Sequence, residues 1–230
     1  MKKVAILQSN YIPWKGYFDI INSVDEFIIY DEMQFTKNDW RNRNKIKTKD
    51  GAQWITIPVV NESLSQKINQ TKVVNNVWAT KHIKSIIMNY SKSIYFKEYI
   101  DLFTELYDRA KELDKLSDIN YLFLTEICAI LDIKTKISWS TDYNLIEGKS
   151  ERLVDLCKQT NATEYISGLA AKSYIKEDIF KAAKINLSWM DYSAYQEYNQ
   201  LYPPFIHAVS IIDLIFNEGG NARKCMHQTN

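Results

Sequence analysis

The chain opens with a short apolar run, Val4 to Leu7, that gives out abruptly into Gln8-Ser9-Asn10, a pattern that predicts a buried strand. Pro13 and Gly16 punctuate the next stretch, Tyr11 to Gly16, as a turn. Tyr17, Phe18, Ile20 and Ile21 then fall on one face of a helix running to Ser23. Glu26 to Tyr30 predicts a second strand, closed by Asp31-Glu32. Strand, helix and strand in so short a span form a βαβ unit, which implies a parallel sheet.

Further along, Gln53 to Val60 reads as a third strand, with Pro58 placing that end on an edge or beyond the ladder. A polar, lysine-rich turn ending at Asp50-Gly51 precedes it. From Val77 the spacing turns helical, and Trp78 to Tyr90, Tyr95 to Ala110 and Leu116 to Leu131 predict three helices. Ile133 to Ser140, Glu164 to Ser167 and Ile185 to Met190 read as strands. Ser150 to Thr160, Tyr174 to Ala183 and Val209 to Asn217 read as helices, the last closed by Gly219-Gly220. The expected class is α/β: an N-terminal βαβ Rossmann-like parallel sheet, with a mainly helical C-terminal part carrying a few further strands. Asn75-Asn76 marks the expected seam between an α/β portion, residues 1–75, and a helical portion, residues 76–230, packed on it as one unit.

A chain of 230 residues can bury a core without staples. Its net charge of +1 supplies no overall field toward nucleic acid or an anionic membrane. Cys128, Cys157 and Cys225 are widely spaced with no CxxC pair, so neither a disulfide framework nor a zinc site is expected. The N-terminal apolar run is too short for a signal peptide, and no segment approaches the roughly 18 apolar residues of a membrane span. A cytoplasmic location is the expectation. Aromatic residues reach 13%, with 15 Tyr and 6 Trp. Most are expected in the core with their polar tips partnered, although amphipathic rings also line polar ligand sites.

Ligands of open α/β sheets bind beyond the carboxyl ends of the strands, near the switch point of strand order. Gln8, Ser9 and Asn10 cap the first predicted strand, and Asp31 and Glu32 cap the second. The densest polar cluster is Trp40-Arg41-Asn42-Arg43-Asn44-Lys45-Ile46-Lys47, where two guanidiniums and two amides could grip a phosphate. A solvated basic loop is the commoner fate of such a run, but Trp40 and Ile46 suggest that one side is packed. His82 is the natural candidate for proton transfer, against the more frequent outcome of a surface or half-buried histidine. His207 and His227 lack companions, and no spacing supports a metal site. Ser167-Gly168 precedes a helical stretch and could offer amides to an anion, but an ordinary β-to-α turn is the stronger expectation. G-x-S-x-G, Walker A and G-x-G-x-x-G are all absent.

Gln8-Ser9-Asn10-Tyr11-Ile12-Pro13-Trp14-Lys15-Gly16-Tyr17-Phe18 and Asp31-Glu32-Met33-Gln34-Phe35 resemble the WbqC-like family of bacterial polysaccharide gene clusters. The likeness continues through Trp40-Arg41-Asn42-Arg43-Asn44-Lys45-Ile46, Gly51 and Trp54-Ile55-Thr56-Ile57-Pro58-Val59. It returns at His82, Tyr90-Ser91-Lys92, Tyr165-Ile166-Ser167-Gly168 and Ser210-Ile211-Ile212-Asp213-Leu214. This chain departs from the family pattern at Ser9, where Gln-Pro is usual. The resemblance implies a role in O-antigen or related surface-sugar biosynthesis, as a transferase placing a glycyl or other acyl group on a nucleotide-linked amino sugar.

In that reading His82 is the candidate base and Asp31 its alternate. Gln8, Asn10 and Asn42 orient substrate or stabilise an oxyanion, and Arg41 and Arg43 hold the diphosphate. Tyr11, Trp14 and Asn44 complete the expected substrate contacts. The expected partners are a nucleotide sugar and an activated acyl donor; no cofactor is identified. A non-catalytic sugar-nucleotide or glycan-binding accessory protein is the alternative. A second alternative is an ATP-dependent enzyme like the nucleotidylyltransferases, whose opening turn resembles this one, with Tyr17 in place of their histidine. Nucleic-acid binding through the Arg41-to-Lys49 patch is least favoured, given the net charge.

Overall fold

A computed structural model describes residues 1–193 and 195–226; His227 lies outside them. Five strands form one parallel sheet: β1 (Lys3–Leu7), β2 (Glu26–Ile29), β5 (Lys136–Trp139), β6 (Glu164–Ser167) and β7 (Asn186–Trp189). Their order is β5-β2-β1-β6-β7. This is the Rossmann-type arrangement, in which the chain starts in the middle, builds outward to one side, then crosses to build the other. Strands from both sides of residue 75 therefore share one sheet.

Both faces of the sheet are buried, and the strands read as continuous apolar runs for that reason. Ala5, Phe27 and Ile29 face one core, while Val4, Ile6 and Ile28 face the other. The larger core takes α1 (Lys15–Asn22), the three successive helices α2 (Val77–Tyr90), α3 (Phe96–Ala110) and α4 (Leu116–Ile130), and α7 (Ile211–Glu218). The smaller takes α5 (Ser150–Gln159) and α6 (Glu177–Ala182), through Leu153, Leu156 and Phe180. The change of face comes in the crossover from β5 to β6, which fixes the switch point between β1 and β6.

The expected third strand, Gln53 to Val60, forms with shifted bounds, and Pro58 lies past its ladder as expected. It begins at Gly51 and stops at Thr56, before Pro58, and it belongs to no parallel sheet. Instead β4 (Gly51–Thr56) pairs antiparallel with β3 (Arg43–Thr48) across the turn Lys49-Asp50, making a separate hairpin. The basic cluster expected as a loop supplies β3. Proline lacks the N–H a ladder needs, which explains the early stop.

At the amino-terminal end of β2, buried Glu26 gathers Lys2 (2.8 Å), Lys136 (2.9 Å), Ser138 (2.8 Å) and the Tyr143 hydroxyl. Burial alone would raise its pKa, but these donors outweigh burial and bring it down to about 2. A carboxyl depressed in the folded state stabilises the fold above its unfolded value near 4.5 and loses that contribution as pH falls toward 2. Denaturant melts of wild type and Glu26→Gln should therefore differ most above pH 5 and converge as the pH falls through 4.5 toward 2.

Candidate functional site

Leu7 and Ser167 end the two strands that flank the switch point, and a cavity of about 730 Å³ opens directly beyond them. Its walls include Gln8 after β1, Tyr30 after β2, Ser167 at the end of β6 with Gly168 after it, Gly148 and Lys149 just before α5, and Arg152 in its first turn. Arg41 and Tyr174 close it from the sides. The size suits a ligand larger than a single ring.

Three cations converge here. Arg152 donates to the Tyr30 hydroxyl at 3.0 Å and to the Ile146 carbonyl at 2.5 Å. Arg41 donates to the side-chain oxygens of both Gln8 and Asn10 and lies 3.5 Å from Asp39. Lys149 is exposed at the mouth. Helix α5 begins at Ser150, so its free amide end lies on the same side as these cations. Gly148 permits the approach: its φ is +96°, and a Cβ there would meet the Glu151 carboxylate at 2.6 Å. Burial raises the Tyr30 and Tyr174 phenols above their ordinary value, so both are neutral donors at physiological pH, although Arg152 and Arg41 respectively pull them back. Guanidiniums, phenols and a helix N-terminus together suit a phosphate or diphosphate.

The first loop is braced rather than free. Asp31 accepts from the Ser9 amide (2.8 Å), the Ser9 hydroxyl (2.7 Å) and the Ser117 hydroxyl (2.6 Å). Burial raises its pKa, against the pull of those bonds and of Arg41. Asn120 donates to Ser9 Oγ and to the Arg41 carbonyl, both at 2.9 Å. Asn44 donates to the carbonyls of Tyr11 (3.0 Å) and Ile12 (2.9 Å). Those bonds hold Ile12 at φ 36°, a conformation that a β-branched residue rarely takes.

Of the ten residues expected at the site, the structure brings Gln8 and Arg41 to the large cavity. Asn10, Trp14 and Asn44 line a neighbouring cavity of about 200 Å³, together with Pro13, Trp40 and Ala208. Arg43 is separated from Arg41: its guanidinium stacks over Trp54 at 4.1 Å and donates to the Asn38 carbonyl. The two arginines are therefore not one diphosphate clamp. Asn42 is buried and exchanges bonds with the backbone of Ile57.

His82 and Tyr11 lie in the core, away from both cavities. The ring donates from Nε2 to the Thr56 carbonyl (3.2 Å), which leaves Nδ1 to accept from Tyr11 Oη (2.9 Å). Tyr107 Oη stands 2.7 Å behind Tyr11 Oη. Asp31 is likewise turned inward. Sequence reasoning missed Lys149, Arg152, Tyr30 and Tyr174, and ranked Ser167-Gly168 as an ordinary turn. The only local signal was a glycine just before a predicted helix start, at Gly148, and another just after a strand, at Gly168.

The family model described as the WbqC-like protein family matches residues 8–225. The chain belongs to this family. It is also 50% identical over 223 residues to "Uncharacterized protein Rv1507c" of Mycobacterium tuberculosis (strain ATCC 25618 / H37Rv), covering 96% of each chain. No solved structure matches it. The matched span takes in every cavity residue described above. Among the described residues no helix is long and apolar enough to cross a membrane, and no group of three or more His, Cys, Asp or Glu side chains could hold a metal ion.

Burial lowers the His82 pKa to about 4, against a smaller upward pull from the Thr56 carbonyl. The unfolded chain then binds this proton at higher pH than the folded one, so stability from neutral His82 is complete above pH 6.5 and is lost as the pH falls from 6.5 to 4. Unfolding midpoints for wild type should drop across that window. A His82→Gln variant should be less stable at pH 7.5 by about 1–3 kcal/mol and lack that part of the slope.

Proposed function

We propose that this member of the WbqC-like family binds a nucleotide-linked amino sugar in the cavity at the switch point and presents its amine for acyl transfer. The observation that carries this reading is the convergence of Arg41, Arg152 and the start of α5 on one cavity at the carboxyl end of β1 and β6. Sheets of this topology take phosphorylated ligands at that edge, and two guanidiniums supply the charge complement of a diphosphate. Tyr30 and Tyr174 offer faces for a base and hydroxyls for a ribose.

In the reaction, the amine nitrogen forms a bond to the acyl carbon and the donor's leaving group departs with the bonding pair. The nitrogen's proton passes to that leaving group or to water. Positioning supplies the acceleration in such a scheme, because His82 and Asp31 are both engaged in the core. That same engagement favours the second reading, a sugar-nucleotide-binding protein that assists a neighbouring enzyme without turnover. The nucleotidylyltransferase-like reading has less support: Tyr17, which stands for their histidine, is buried and donates to the Gln8 carbonyl at 2.8 Å.

Calorimetric titration with UDP-, dTDP- and GDP-linked amino sugars tests the binding. One of the three should bind, and Arg41→Ala and Arg152→Ala should each weaken it roughly tenfold or more, the cost of losing a charged hydrogen bond. Failure of all three to bind sinks the proposal. Binding without a mass increase on the amine, across glycyl and acetyl donors, selects the accessory reading.

A further inference from the structure

We propose that the smaller cavity, between Trp14 and Trp40, is the subsite for the ligand's pyranose ring. The inference rests on the reading of the larger cavity as a nucleotide-diphosphate site. The two cavities share a wall: Arg41 lines the larger, and its guanidinium donates to the side-chain oxygen of Asn10, which lines the smaller. A ligand whose phosphates reach Arg41 from one side meets the second cavity as its next available space.

The chemistry of this space is that of a sugar-ring site. Its long walls are two indoles, whose electron-rich faces attract the weakly positive C–H face of a pyranose. Its polar group is Asn10. With its side-chain oxygen committed to Arg41, its amide NH2 makes no hydrogen bond among the described residues and can donate to a ring hydroxyl. The volume, about 200 Å³, is too small for a nucleoside and fits one ring.

Both indoles are pre-positioned, which lowers the ordering cost of binding. Trp14 packs against Tyr192 at 5.1 Å and Tyr195 at 5.7 Å. Its six-membered ring lies directly over Gly16, where a Cβ would come within 2.4 Å, so only glycine allows this placement. Trp40 rests on Trp54 at 5.2 Å, and Arg43 stacks on Trp54 in turn. The strained Ile12 and its Asn44 brace fix the floor beside Pro13. Trp40 nevertheless keeps 39% of its surface exposed.

Saturation-transfer NMR with methyl glucosaminide as the probe tests the subsite directly, without any nucleotide. Wild type should saturate the ring C–H protons, and Trp40→Ala and Asn10→Ala should each reduce the signal at least threefold. Trp40 is exposed enough for its variant to fold, which a wild-type-like unfolding midpoint would verify. Calorimetry with UDP, dTDP and GDP and their amino-sugar conjugates then separates the two claims. The nucleoside diphosphate that binds should bind wild type and Trp40→Ala equally, while the advantage of its amino-sugar conjugate disappears in Trp40→Ala. An absence of saturation in wild type, or an undiminished signal in Trp40→Ala, overturns the subsite even if UDP binds. Saturation that depends on Trp40, with no binding of UDP, dTDP, GDP or their amino-sugar conjugates, keeps the ring site and removes the nucleotide site.

Discussion

Asp31 is almost wholly withdrawn from solvent, and its two oxygens take the amide and hydroxyl of Ser9 and the hydroxyl of Ser117. A carboxyl buried so deeply is costly unless its oxygens are satisfied, so the three bonds stand or fall together. They tie the end of β1 to the end of β2 and to the start of α4. Ser9 is thereby pinned, and Gln8 and Asn10 on either side of it are directed toward Arg41. Asn120 closes the ring by holding both Ser9 and the backbone of Arg41. Both cavities take their shape from this arrangement, since Gln8 and Arg41 line one and Asn10 the other.

The aromatic richness of the chain divides along the same boundary. Tyr11, Tyr90 and Tyr107 are buried, and each hydroxyl finds a partner inside: Tyr11 between Tyr107 and His82, and Tyr90 on Asp213. These rings fill the large core and link helices α2 and α3 to the hairpin and to α7. Trp14, Trp40, Tyr30 and Tyr174 instead line the cavities. The family relationship extends over nearly the whole chain, so it embraces both populations. Fold topology marks a candidate site, but fold and family do not fix what the groups placed there do.

Local pattern was a good guide wherever one element decides its own structure. The Val4-to-Leu7 run, the Glu26 strand and the long amphipathic helices after Val77 all formed close to the expected positions. It was a poor guide where a strand starts inside a polar run. Arg41 and Arg43 stand two residues apart, and in a loop they could grip one phosphate. The second lies instead at the start of β3, against Trp54, while the first lies before the strand and turns to the β1 loop. His82 occupies a helix face that periodicity could not distinguish from surface, because the groups that bury it, Tyr11, Thr56 and Tyr107, are remote in sequence.

The sequence alone determined the α/β class, the parallel βαβ opening and the richness of the first fifty residues in cationic and amide groups, because these follow from spacing within a single element or between neighbours. Tertiary structure decided the strand order, and with it the site. The end of β6 reaches the end of β1 only because the two strands pair, and Arg152 reaches Tyr30 only because α5 crosses to the far face of the sheet. Such meetings join residues more than a hundred positions apart, and they are fixed by which apolar faces can be buried together, a property of the whole chain that no local window contains.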